Sequence, residues 1–365
     1  MLSTSTDCLK RDLNVRPYNI GREKLNNNKK NGLFIFILII VISISQFSLS
    51  SCALKEEKTI VLTTGLSKNE VFKVGESVCT DKEMKIFLLN AYGQYDMELI
   101  NIIASENADI SENIKEYCLA LVSQIKAMNI MAKNMNITLD EAEKEKVNAA
   151  AAAYMSTLNE GTIKYFGTAD QDLIASIYSE IALADKTYEY TVRNVNTEIS
   201  DDEARIITLE QIVIYKSDEA ASEKINEAEK RYKSGEDFTG LAGEYNQAGD
   251  IRISFDRDGS GDIPEAEAFN LASGEASDII QTDKAFYLLY CVSSYDKEET
   301  RANKKILLER RNKEAFGKIY SEFTKELPVM LNEKLWSEIT LPDHNSLIGQ
   351  SDLWKYYDAI FKEKK

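Results

Sequence analysis

The stretch IITLEQIVIY, residues 206–215, is where the pattern of this sequence turns. Isoleucine, valine, threonine and tyrosine dominate it, the composition of a β-strand. Working outward, residues 217–233 read as a polar amphipathic helix broken by Ser234-Gly235, and residues 238–245 as a second, shorter helix. A loop rich in glycine and aspartate spans 249–263, and IRISF inside it (251–255) is strand-like. FYLLYCV at 286–292 reads as a buried strand. From Asn303 a long helix is expected, with Phe316, Ile319, Tyr320 and Phe323 on one face.

Upstream of the turning point the period is helical. Residues 71–80, VFKVGESVCT, first alternate around Gly75-Glu76 and predict a small strand pair. Thr80 then caps a helix whose apolar face is Met84, Phe87, Leu88, Ala91 and Tyr95. A second helix carries Ile114, Cys118, Leu121 and Ile125. Thr138-Leu-Asp-Glu141 and Thr168-Ala-Asp-Gln171 read as capping boxes opening two more, and the alanine run at 149–153 suits the first of these. Beyond Thr340 the pattern gives only a weak helix, 351–363. The expected class is α+β: a compact α/β unit inserted into a helical domain built from chain on both sides of it.

The first fifty residues read differently. Residues 1–31 hold seven basic and three acidic side chains, and 32–51 hold no charge. LFIFILIIVISI at 33–44 is an apolar run of about a dozen residues, short for ~30 Å of hydrocarbon and typical of a secretory signal. Its basic flank stays on the cytoplasmic side. Leu49-Ser50-Ser51-Cys52 then matches the bacterial lipobox, in which the cysteine is lipidated and becomes the new N-terminus. The expectation is a signal peptide over 1–51 and a lipidated tether over 52–67, holding the protein at the extracytoplasmic face of a bacterial membrane.

Cleavage there leaves 37 basic against 57 acidic residues, a formal charge of −20. Nucleic acid is excluded as a partner, because its phosphates need lysine and arginine. Anionic lipid repels such a body, so it stands off the surface on its anchor. Cys79, Cys118 and Cys291 show no metal-like spacing and read as buried small apolar residues, with a single disulfide pair as the alternative. The one histidine, His344, lies in a loop-like stretch after Pro342-Asp343, so neither a two-His metal site nor a His pair is available.

Four blocks carry a resemblance. They are LEQIVI at 209–214, GEDFxxLA at 235–242, AFxLxxGExS at 268–277 and TDxxxYLL at 282–289. Residues 203–297 resemble a parvulin-type (PpiC) peptidyl-prolyl cis-trans isomerase domain, and the helices before it resemble the chaperone domain of PrsA/SurA-type foldase lipoproteins. The likeness runs over about 68–325. It implies a helical chaperone domain at 68–200, the parvulin-like domain at 203–297, a helix at 300–340 completing the helical domain, and a tail at 341–365. It also implies a membrane-anchored folding factor whose partners are unfolded or partly folded exported polypeptides, with no cofactor required.

The resemblance places site residues too. Catalytic parvulins carry one histidine on the first strand and one on the last; here those positions are Gln211 and Tyr287, which could hydrogen-bond across the site. The position of the site's Cys or Asp falls at Asn246-Gln247. The proline pocket lies between Phe255 and Phe269, with Ser260 and Pro264 where Met and Phe usually stand. Isomerisation needs no covalent step, only an apolar seat for the ring and preference for the twisted amide over a barrier of ~18–20 kcal/mol. The substitutions therefore imply weak binding of the proline ring and weak or lost catalysis, on a scaffold that keeps a chaperone or client-binding function; an active isomerase is the alternative.

The same loop contains a second motif. Asp256, Asp258 and Ser260 at positions 1, 3 and 5, Asp262 at 7 and Glu267 at 12, with Gly261 at 6, follow the EF-hand calcium loop. Calcium is the ligand that reading implies, making a calcium-binding surface module the third functional possibility. Pro264 at position 9 and a strand in place of the entering helix depart from the pattern.

Overall fold

The computed structural model describes residues 65–93, 110–257, 261–342 and 352–362. The leader, Cys52, most of the tether, Tyr95, Asp258, Ser260 and His344 lie outside the described residues.

The chain folds as α+β. β1 (Glu70–Val74) and β2 (Ser77–Thr80) form the expected hairpin, with Phe72 opposite Cys79. Gly75 turns it at φ 53, where a side chain would also press on Ile130. β7 (Val329–Leu331), far downstream, pairs with the other edge of β1. Thr80 caps α1 (Asp81–Tyr92) through the Glu83 amide, and Met84, Phe87, Leu88 and Ala91 are buried as their spacing predicts. α2 (Ile110–Asn134) buries Ile114, Cys118, Leu121 and Ile125.

α3 (Glu141–Met155), α4 (Glu160–Phe166) and α5 (Gln171–Val192) complete this body. The two capping boxes are displaced: Asp140, not Thr138, caps α3 with Glu143 reciprocating, and Asp170, not Thr168, caps α5. An ionised carboxylate gains from the positive helix end where a neutral hydroxyl does not.

The second body is built on β3 (Ile207–Tyr215), which follows a single turn of helix, α6 (Asp201–Ala204). Next come α7 (Ala221–Lys233), α8 (Phe238–Tyr245), β4 (Arg252–Phe255), α9 (Glu265–Asn270), β5 (Ile280–Gln281) and β6 (Ala285–Ser293). α7 starts later than its pattern suggests, because Asp218 folds 215–220 into a turn, accepting the Ala220 amide at 3.0 Å. The strands run antiparallel in the order β4-β3-β6-β5. β3 is covered on both faces, and its buried polar residues take partners: Thr208 meets Ser254, Glu210 accepts from Thr239 and Gln211 donates to the Asp250 carbonyl. Ile212 and Ile214 meet Ile225, Phe238 and Leu241 of α7 and α8. Leu209 and Val213 meet Phe255, Phe269, Tyr287 and Leu289 on the opposite face.

The chain enters and leaves this body at one place. Asp296 N–H donates to the Ile206 carbonyl, and Thr300 Oγ1 accepts from Ile206 N–H. α10 (Lys297–Thr324) therefore begins six residues before Asn303, capped by Asp296. Phe316 is buried against Tyr188 at 5.0 Å and stacks on Tyr320. Ile319 departs from expectation: it is 39% exposed. It sits about 60° round the helix from Phe316, on the side away from Tyr320.

The stretch read as a tail also differs. After α11 (Glu333–Glu338), α12 (Leu353–Phe361) packs Leu353, Trp354 and Tyr357 into the core between α1, α3 and α5. That core draws side chains from 71–192 and from 316–361 and none from β3 to β6. It encloses charge as well: Lys126 Nζ lies 2.8 Å from Glu83 Oε1 and 2.7 Å from both oxygens of Glu180. Cys79, Cys118 and Cys291 are free and buried. No helix among the described residues is long and apolar enough to cross a membrane.

Candidate functional site

The sheet face away from α7 and α8 gathers most of the expected site residues. Strand alternation puts Gln211 and Tyr287 on this same face, both buried. They are not directly opposite: Gln211 faces Leu289, and Tyr287 faces Val213. That diagonal separates such side chains by about 7–8 Å. The hydrogen bond that these two residue types could make with each other is not formed; Gln211 Nε2 donates to the Asp250 carbonyl at 2.8 Å. Burial lifts the Tyr287 phenol above its ordinary value; Asp262 and Tyr215 add to this, while Lys284 and a hydrogen bond with Thr282 oppose it. It is a neutral donor at physiological pH, not a base.

Asn246 and Gln247 do other work. Asn246 Oδ1 accepts the Val213 amide at 2.9 Å, Gln247 N–H donates to the Val213 carbonyl, and Gln247 Oε1 accepts the Tyr215 amide at 2.9 Å. Gln247 Nε2 then donates to Asp218 at 2.7 Å. Together they continue the ladder along β3 where β4 stops.

Above the sheet, Phe255 and Phe269 meet edge to face at 5.8 Å. Two guanidiniums, Arg205 at 5.1 Å and Arg257 at 4.7 Å, lie against the Phe269 ring, and Arg205 also donates to the Phe269 carbonyl. Pro264 precedes α9 as its cap residue, with Ile263 and Leu271 half-buried beside it. The arrangement is a buried aromatic cluster with two cations at its edge. Sequence reasoning missed Arg205 and Arg257, which lie 52 positions apart and converge only through pairing of the strands that follow and precede them.

The calcium loop was tested against the same geometry. Asp256 Oδ2 accepts from Asn303 of α10 at 3.0 Å, and Asp262 pairs with Lys284 at 2.9 Å. Glu267 is exposed on α9, and Arg257 lies 3.8 Å from Glu265. Among the described residues no group of three or more His, Cys, Asp or Glu side chains could hold a metal. The described loop carboxylates thus face different partners instead of one centre.

A cleft of about 680 Å³ lies elsewhere, in the helical body, lined in part by Asp81, Lys85, Lys164, Tyr165, Leu335 and Ile339. It touches none of the expected site residues.

Comparison with solved structures gives low-similarity matches. PrsA from Bacillus subtilis is 17% identical over 59% of this chain and 86% of its own, with a TM-score of 0.23. A peptidylprolyl isomerase (PrsA) from Bacillus cereus is 15% identical over 84% of this chain and 98% of its own, at 0.35. The foldase protein PrsA from Lactococcus lactis is 14% identical over 74% of this chain and 97% of its own, at 0.32. Superpositions this poor do not fix a family. No protein-family model matches the chain, and no curated protein matches it.

Proposed function

We propose that this chain is an extracytoplasmic folding factor of the PrsA/SurA kind, anchored by lipid on Cys52. In this reading it binds unfolded or partly folded exported polypeptides through its helical body and a parvulin-like unit at 203–297. The observation that carries the reading is the aromatic face formed by Phe255, Phe269 and Tyr287 on an antiparallel sheet, beside motif blocks in parvulin order. The same face argues for weak catalysis. Gln211 is tied to the Asp250 carbonyl, and Tyr287 faces Val213, so the two do not meet across the face. The rings are themselves buried, so a proline ring finds little open seat here, and the hydrogen-bonding pair that would favour a twisted amide does not form.

The test is a pair of assays on the full chain: suppression of aggregation of a denatured polypeptide, and a coupled proline-peptide isomerisation. Suppression at near-stoichiometric amounts with little isomerisation is expected. No suppression would refute the folding-factor reading, and rapid isomerisation would establish the active-enzyme alternative.

A further inference from the structure

α12 is short for a helix that stands by itself, and nine residues are marginal in water. It is held by a seat. Tyr357 stacks on Tyr178 at 6.3 Å, and Trp354 lies 6.4 Å from Phe87. At its start, Leu353 N–H donates to Asn90 Oδ1, and Tyr178 Oη–H donates to the Leu353 carbonyl. Further along, Tyr357 Oη–H donates to Asp185 Oδ2 at 2.8 Å.

Asp185 is the anomaly. It is half-buried where Tyr357 closes over it, and a carboxylate covered in this way gives up part of its hydration. The charges around it make matters worse. Glu189 lies on its own helix, and α12 brings Asp358 and Lys362. Lys362 is 3.2 Å from Asp358, so the nearest cation is already paired. Of the nearby lysines, Lys186 is bound to Glu143 at 2.6 Å and Lys146 of α3 sits on the Phe361 ring. Ionised, Asp185 would face Glu189 and Asp358 with no free counter-charge among these groups. Protonated, it could still hydrogen-bond Tyr357.

We propose that α12 is a releasable strap over this seat, and that release is coupled to loss of a proton from Asp185. Burial, opposed by the Tyr357 hydrogen bond and by Lys362 and reinforced by Glu189 and Asp358, pushes the Asp185 carboxyl up to about 7 in the seated state. Lifted off, α12 would leave Asp185 in water with an ordinary carboxylate value near 3.9. The seated state therefore binds the extra proton. Its advantage is full in acid and is lost as pH rises towards 7. The uncovered seat presents Phe87, Tyr154 and Tyr178, a surface for an amphipathic aromatic segment of an unfolded chain; this last clause rests on the folding-factor reading.

Hydrogen exchange of the amides of 352–362 in the full chain, corrected for intrinsic rates, reads the opening of α12. The opening constant should rise by up to tenfold per pH unit between pH 5 and 7, and level off above that. Asp185→Asn should hold it near its pH 5 value throughout. Glu189→Gln, which keeps the titrating group and removes a repulsion, should move the plateau to lower pH. Glu83→Gln, altering the other raised buried carboxylate, should leave the slope unchanged. A flat profile in the wild type, or a slope that survives Asp185→Asn, overturns the proposal. Binding of a polypeptide kept unfolded by reduction and carboxymethylation should be stronger at pH 8 than at pH 5 in the wild type and equal in Asp185→Asn. Exchange as expected with no such difference in binding would leave the strap standing and remove the client from the seat.

Discussion

Replacing Lys126 by methionine tests the strongest buried electrostatic feature of the helical body. The side chains of Lys126 and Glu83 are 4% and 7% exposed, that of Glu180 27%. One ammonium serves two carboxylates, so the triad carries a net charge of −1 with all three ionised. Burial raises the Glu83 carboxyl above its ordinary value; Lys126 lowers it and Glu180 raises it further. Burial works against the Lys126 charge, but the two carboxylates carry its value upward. Removing the cation strands two carboxylates, a change that costs about 3–5 kcal/mol in buried pairs. In a body of this size that corresponds to a fall in thermal midpoint of roughly 6–20 °C.

The loss should depend on pH. A raised carboxylate means that the folded state holds the proton, so stability is greatest in acid and declines as pH rises through the folded value. Lys126→Met should therefore be much worse at pH 8 than at pH 5, where Glu83 can take up a proton. Glu83→Gln, which leaves one ammonium and one carboxylate, should cost little at pH 8 and should flatten the pH dependence. Thermal unfolding followed by circular dichroism at both pH values measures all of this. A midpoint for Lys126→Met within about 2 °C of wild type at pH 8, or an equal deficit at both pH values, would refute the reasoning.

Other expectations follow from the second body and the leader. Residues 203–297 should accelerate proline-peptide isomerisation at least tenfold less than a parvulin with its histidine pair, a barrier difference of about 1.4 kcal/mol or more; the coupled assay on the full chain measures it. Millimolar calcium should give no calorimetric heat and no change in thermal midpoint, because Asp256 and Asp262 already have partners. Asp256→Ala should destabilise the chain by about 1 kcal/mol with or without calcium, since Asn303 Nδ2 loses one of its two acceptors and keeps the Ala204 carbonyl. Cys52→Ala should release the protein from membranes or leave its precursor uncleaved, read by fractionation and mass spectrometry.

Much of this architecture is legible in the sequence because it rests on local periodicity. The hairpin at 70–80, β3, β6 and the buried faces of α1 and α2 each follow from spacing and turn residues alone. What was not legible depends on competition or on distant partners. Thr138 and Asp140 both satisfy the capping pattern, and only the folded helix end chooses the carboxylate. The sequence 353–361 is a weak helix by itself, and becomes core only because Phe87, Tyr154 and Tyr178 converge beneath it. The candidate site behaves the same way. Gln211, Tyr287 and Phe255 could be placed on one face by strand alternation, whereas Phe269 sits on α9 and meets that face, and Arg205 and Arg257, only by tertiary approach.

The paired amides of Asn246 and Gln247 bear on how the sheet avoids pairing with other chains. β3 has nine residues and β4 four, so part of one margin of β3 would otherwise expose bare peptide groups. Any extended polypeptide brought there could add itself as a further strand, and a second could follow on the first. The Asn246 and Gln247 side chains satisfy the Val213 and Tyr215 amides, and the Gln247 N–H satisfies the Val213 carbonyl, so these ladder positions are already taken. The opposite margin, along β6, is shielded by 274–281, where Gly274, Ser277 and Cys291 exchange hydrogen bonds with their neighbours across the gap. What is left as edge is short, four residues of β4 and two of β5, and gives an added strand little to pair with.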